Sequence, residues 1–144
     1  MQGTRTAPTR TFPPWRSIAV VLLGGTVGTA LREGMTLAVP RIDGVPIATV
    51  GVNVAGAFAL GVLLEHLARR GPESGRARDL RLLLGTGVLG GFTTYSALAV
   101  DTVLLASGGS VGIAVLYALG TLVLGGVASW AGIAVAAGRA GRRP

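Results

Sequence analysis

Four apolar runs separated by short polar linkers constrain this chain more than any other feature. They extend from about Trp15 to Val39, Pro46 to Ala68, Leu80 to Leu105 and Ser110 to Ala137. A helix needs about 20 residues, at about 1.5 Å rise each, to cross roughly 30 Å of hydrocarbon, and every run reaches that length. Half of the 144 residues are hydrophobic. The linkers around Pro40–Gly44, Arg69–Asp79 and Ser107–Gly109 are too short to hold a folded domain. The expected architecture is an all-α membrane protein with four transmembrane helices in a single domain, 15–137. A polar arm with three prolines, 1–14, precedes it and is expected to be disordered; a basic tail, 138–144, follows. Arg5, Arg10 and Arg16 ahead of an apolar run imitate a signal peptide. The glycine-rich run that follows and the three further runs favour a retained first helix, with Trp15 as its interfacial anchor.

Composition removes several function classes. There is no cysteine and a single histidine, His66, so disulfides, thiolate sites and multi-histidine metal sites are excluded. No catalytic constellation is present, and an enzyme is not expected. The net charge of +7 comes from arginine alone. Such a balance can signal nucleic acid, but these arginines lie between membrane runs with no soluble domain to carry them, so no nucleic-acid partner is expected. With four spans, the arm, the second linker and the tail share one side of the membrane. That side carries eleven arginines; the other carries only Arg32 and Arg41. The positive-inside rule then places both termini in the cytoplasm.

The third run departs from a plain greasy helix. Between Gly85 and Asp101 it holds four glycines, a run of hydroxyls and a carboxylate. Glycine costs about 1 kcal/mol against alanine inside a helix, and threonine is also a weak former, so Gly90-Gly91-Phe92-Thr93-Thr94 predicts a break. Irregular backbone survives at membrane depth only where it is buried in protein or lines a polar cavity. Freed carbonyls there are hard oxygen ligands suited to a cation, whereas amide and hydroxyl donors suit an anion. Tyr95 adds an electropositive ring edge. Asp101 falls toward the outer end, where a vestibule or capping role is expected ahead of proton coupling.

The remaining runs carry faces with a spacing of four. Gly24, Gly28 and Arg32 share one; the two glycines form a G-x-x-x-G pair that permits close helix approach, and Arg32 either snorkels to the interface or packs. In the second run Thr49, Asn53, Ala57 and Gly61 align. Asn53 is set for an interhelical hydrogen bond or a water-filled path, Phe58 for packing, and Glu65 and His66 for solvent. In the fourth, Tyr117, Thr121, Gly125 and Ser129 make either a packing seam or a hydroxyl track, and Trp130 packs or marks an interface.

Four motifs in order now carry a resemblance. They are Gly24-Gly25-x-x-Gly28-x-x-x-Arg32, Val52-Asn53-x-x-Gly56-x-Phe58-x-x-Gly61, Gly87-x-x-Gly90-Gly91-Phe92-Thr93-Thr94-Tyr95-Ser96, and Tyr117 with Thr121. Together they resemble the CrcB/Fluc family of small fluoride channels over all four spans. The resemblance implies a bacterial plasma membrane as the location and a dimer of two antiparallel four-helix subunits with two pores, conducting fluoride passively and rejecting chloride. Hydrogen fluoride enters and dissociates, and the membrane potential drives the anion out. It implies a central sodium ion held by the main-chain carbonyls of Gly90 and Thr93 of each subunit. Asn53, Tyr95, Ser96, Tyr117 and Thr121 are the implied pore residues, with Gly24, Gly28, Arg32 and Gly91 as structural positions.

The chain also departs from the family pattern. Of two usual third-helix phenylalanines, the first is Tyr95 and the second Leu98, which has no electropositive edge. Ala97 replaces a frequent hydroxyl, Asp101 a common glutamate, Gly125 a track hydroxyl and Glu33 a tyrosine. A subunit that pairs with its own inverted copy must insert both ways, so its arginine bias should be near zero. The strong bias here predicts one-way insertion and an inverted, separately encoded homologue as partner. A non-conducting assembly subunit is the alternative reading. A small multidrug-type antiporter would need a carboxylate near the centre of the first helix, where none precedes Glu33.

Overall fold

The computed structural model describes residues 15–69 and 75–140. The arm 1–14, Arg70 to Ser74 of the second linker and the last four residues of the tail lie outside the described residues. Helix α1 spans Trp15–Ala38 and α2 Ile47–Ala68. A short α3, Gly75–Leu80, runs into a π-helical stretch, Arg81–Leu89, and then into α4, Gly90–Phe92. Helix α5 covers Tyr95–Ser107 and α6 Val111–Ala140. Four helical stretches are long and apolar enough to cross a membrane: Trp15–Ala38, Ile47–Ala68, Gly75–Ser107 and Val111–Gly138. That is the build of a multi-pass membrane protein. The third stretch begins before its apolar run because Arg76, Ala77 and Arg78 are good helix formers.

The wide turns of the π-helical stretch are bonded five residues apart; the Gly90 N–H, for example, reaches the Gly85 carbonyl. Stretches of this kind normally occur as single-turn bulges, and this one spans nine residues. Beyond α4 the chain leaves helical geometry for two residues. Thr93 has φ −76° and ψ 152°, and Thr94 has φ −149° and ψ 118°.

Helix α1 lies along the π-helical stretch and α4, α2 lies along α6, and α5 closes against α6. Glycines permit these approaches. A Cβ on Gly28 would collide with the Val88 carbonyl oxygen and come within 2.8 Å of the Phe92 nitrogen. One on Gly61 would strike the Ser129 carbonyl oxygen. Bringing backbones this close gains dispersion contacts in a setting where lipid gives helices no hydrophobic reason to associate. Outward faces are apolar, with Leu22, Leu116, Val123 and Trp130 all exposed, as suits a lipid-facing surface.

The linker between α1 and α2 contains a two-residue turn, Asp43-Gly44. Ile42 and Val45 exchange backbone hydrogen bonds of 3.1 and 2.8 Å across it. Asp43 and Gly44 both have positive φ, 49° and 81°. A tight turn of this hand needs positive φ at both central residues, and Asp-Gly is a favoured pair for it. The turn fixes Arg41, one residue before it, at the mouth of the bundle.

Candidate functional site

Asn53 and Thr94 hold the centre of the bundle. The Asn53 side-chain amide clasps the Thr94 peptide at both ends: Nδ2 donates to the Thr94 carbonyl at 3.0 Å, and Oδ1 accepts from the Thr94 N–H at 2.7 Å. A side chain thus replaces the helical partners that Thr94 lost when its backbone became extended. The Thr94 hydroxyl in turn accepts from the Ala97 N–H at 3.2 Å and caps α5, a job for which threonine is well suited. In an unbroken helix the Thr94 N–H would serve the Gly90 carbonyl, and the Ala97 N–H would serve the Thr93 carbonyl. Both donors are spent elsewhere, on the Asn53 side chain and the Thr94 hydroxyl, so the Gly90 and Thr93 carbonyls, on either side of the start of the irregular segment, lose those helical donors.

Two cavities flank this clasp. A groove of about 400 Å³ is lined by Asn53, Gly90, Thr93, Thr94, Tyr95, Leu98, Thr121 and Gly125, among others. A second cavity of about 390 Å³ is lined by Arg32, Glu33, Arg41, Thr49, Thr94, Ser96 and Asp101, among others. Thr94 borders both, so its clasp forms part of the partition between them. Its hydroxyl also lies 3.3 Å from that of Ser96.

The Asp101 carboxylate accepts three side-chain hydrogen bonds. The residue is 7% exposed. Its Oδ2 accepts from the Thr49 hydroxyl at 2.9 Å and the Tyr117 hydroxyl at 3.2 Å, and its Oδ1 accepts from Arg41 Nη2 at 3.2 Å. A buried carboxylate is costly unless it is paired and hydrogen-bonded; here partners arrive from the α1–α2 linker, α2 and α6. The Thr121 hydroxyl donates to the Tyr117 carbonyl at 2.7 Å, one turn back along α6.

Residues 19–133 match the family model described as "CrcB-like protein, Camphor Resistance (CrcB)". The chain belongs to the CrcB family. Among CrcB-type relatives, it is 52% identical over 128 residues to "Fluoride-specific ion channel FluC 2" of Leifsonia xyli, covering 89% of this chain and 88% of the relative. It is 43% identical over 118 residues to "Fluoride-specific ion channel FluC 1" of Cutibacterium acnes, covering 81% and 82%. A third relative, "Fluoride-specific ion channel FluC" of Thermus thermophilus, is 46% identical over 108 residues, covering 74% and 83%.

In this CrcB-family chain the structure brings some of the expected site residues together and separates others. Asn53, Tyr95 and Thr121 line the same groove as Gly90 and Thr93. Ser96 lines the other cavity, and the Tyr117 hydroxyl reaches Asp101 beside it. Tyr95 is 77% exposed, whereas Leu98 is 5% exposed, in the core. Arg32 borders the second cavity, with no side-chain hydrogen bond or ion pair among the described residues. Gly24, Gly28 and Gly91 all sit where α1 meets the third span; a Cβ on Gly91 would come 2.5 Å from the Gly25 carbonyl oxygen. Glu65 pairs with Arg69 one turn along α2.

The roles of Thr94 and Arg41 escaped the sequence reading. Thr94 was visible as a hydroxyl inside a predicted break, and that was its only signal. Arg41 was one more charge in a linker, and nothing local joins it to a carboxylate 60 residues away.

Proposed function

We propose that this chain is a subunit of a fluoride-selective channel that lets fluoride leave the cytoplasm passively and so lowers its toxicity. The observation that carries the reading is the 43–52% identity, over most of the chain, to relatives named fluoride-specific ion channels. The geometry supports it. A small anion shedding water needs N–H and O–H donors in sequence, and Asn53, Tyr95, Ser96, Tyr117 and Thr121 are the residues we assign to the path. Asn53 keeps a second Nδ2 hydrogen beyond the one given to Thr94. Tyr117 and Thr121 each spend their single hydroxyl hydrogen within the protein, so an anion at either position must take that hydrogen over.

A structural sodium ion fits the Gly90 and Thr93 carbonyls in chemistry. The helix donors those oxygens would have had are spent on Asn53 and on the Thr94 hydroxyl. No cluster of His, Cys, Asp or Glu among the described residues is able to hold a metal. Unwound carbonyls are the usual membrane ligands for such a cation. When bound, the ion supplies fixed positive charge. Two carbonyls from one chain leave its shell incomplete, which argues for an antiparallel dimer whose second subunit donates an equal share. The broken third helix is, on this reading, the device that exposes them.

The arginine bias argues that the chain inserts one way, termini in the cytoplasm of a bacterial cell, and pairs with an inverted homologue. A second reading, a non-conducting assembly subunit, is favoured by Leu98 and Gly125 in the groove, where an aromatic edge and a hydroxyl are absent. Growth of a bacterial strain stripped of its own fluoride exporters, in acidified medium with fluoride, tests the proposal. We expect co-expression of this chain with an inverted homologue to restore growth beyond what the homologue achieves alone. Equal rescue by the homologue alone, or no rescue by any combination, argues against a part for this chain in the channel.

A further inference from the structure

The second cavity contains an ion pair that the channel reading does not use. Arg32, Glu33, Arg41 and Asp101 all line it. Arg41 meets Asp101 through a single nitrogen, Nη2, at 3.2 Å, and its side chain is 53% exposed. Guanidinium carries five N–H donors, and the others of Arg41 have no protein partner among the described residues. The Asp101 carboxylate, by contrast, is inside the protein and held by Thr49 and Tyr117. The tight Asp43-Gly44 turn fixes the backbone just after Arg41. The negative charge is therefore enclosed and the positive one faces the opening.

We propose that Arg41 is a positioning residue that sets the potential of the second cavity: it neutralises Asp101, pins its carboxylate, and leaves spare N–H donors toward arriving anions. The inference builds on the anion-channel reading but makes a claim of its own about charge. Without Arg41 the cavity keeps Arg32 against two acidic groups, and its field turns from neutral to repelling anions. A cleft with low-dielectric walls focuses such a field and changes local ion concentration.

The chain has no cysteine, so a single Thr36→Cys substitution places a reporter thiol in the cavity that Thr36 lines. Its rates of reaction with anionic and cationic thiosulfonate reagents of matched size are measured in detergent-purified protein. Against the reporter alone, Arg41→Gln lowers the anionic-to-cationic rate ratio by about three- to tenfold, and Asp101→Asn raises it by a similar factor. Arg41→Lys and the Arg41→Gln/Asp101→Asn pair both return it to within about twofold of the reporter alone. Disturbed packing would move both rates together and leave the ratio unchanged, so the ratio reads charge. A ratio unmoved by Arg41→Gln, or not restored by the double variant, overturns the proposal. Fluoride efflux from liposomes is followed on the same proteins. Shifted ratios in proteins that pass no fluoride keep the role of Arg41 and sink the channel reading. Unshifted ratios in proteins that do pass fluoride have the opposite meaning.

Discussion

Asn53 acts at the residue scale as a substitute for backbone. Its amide offers one donor and one acceptor with the spacing of a peptide group, and both are taken by Thr94. Removing one side of such a pair strands partly buried polar groups, at about 1–3 kcal/mol. Asn53→Ala should therefore lower the thermal unfolding midpoint in detergent and abolish fluoride flux, because the Thr94 N–H becomes free to return to the Gly90 carbonyl. Thr94→Val removes the α5 cap while keeping the side-chain shape. We expect a loss of about 1 kcal/mol in the same melting assay, with Thr94→Ser close to the unsubstituted protein. The sequence made Asn53 conspicuous, as an amide in an apolar run, yet left its partner open. Its partner is a peptide group, available only because Thr93 and Thr94 are extended. Asp101 was equally visible as a carboxylate, but its three partners come from distant parts of the chain and no local spacing announces them.

Elements are held here by glycine against backbone. Gly28 has no room for a methyl group, whereas a Cβ on Gly25, three residues earlier, meets nothing within 4 Å. Gly28→Ala should push α1 off the third span and cost about 1–3 kcal/mol as an overpacked contact. Gly25→Ala should leave the melting midpoint unchanged or slightly raised. Thermal unfolding of the two variants side by side checks the pair, and equal loss in both would contradict the packing account. The four helices were legible because length and hydropathy alone decide them. The π-helical register of Arg81–Leu89 was not. Apolar content does not distinguish bonds four residues apart from bonds five apart, and the glycines that admit the wider turn also read as ordinary packing positions.

At the scale of the whole molecule the chain reads as half of an assembly. Tyr95 stands exposed beside its groove, and on the proposed reading one copy offers only two main-chain oxygens to the sodium ion. The arginine bias was legible in the sequence as a count of charges per side, though a count does not identify a partner. Tags at either terminus should be accessible from the cytoplasmic side alone, in every molecule, and mixed accessibility would contradict one-way insertion. Fluoride efflux from liposomes loaded with potassium fluoride, beside matched vesicles loaded with potassium chloride, tests the channel itself. The chain reconstituted with an inverted homologue should release fluoride rapidly and retain chloride. Failure to release fluoride, with or without the partner, or equal release of chloride, would contradict a fluoride-selective channel.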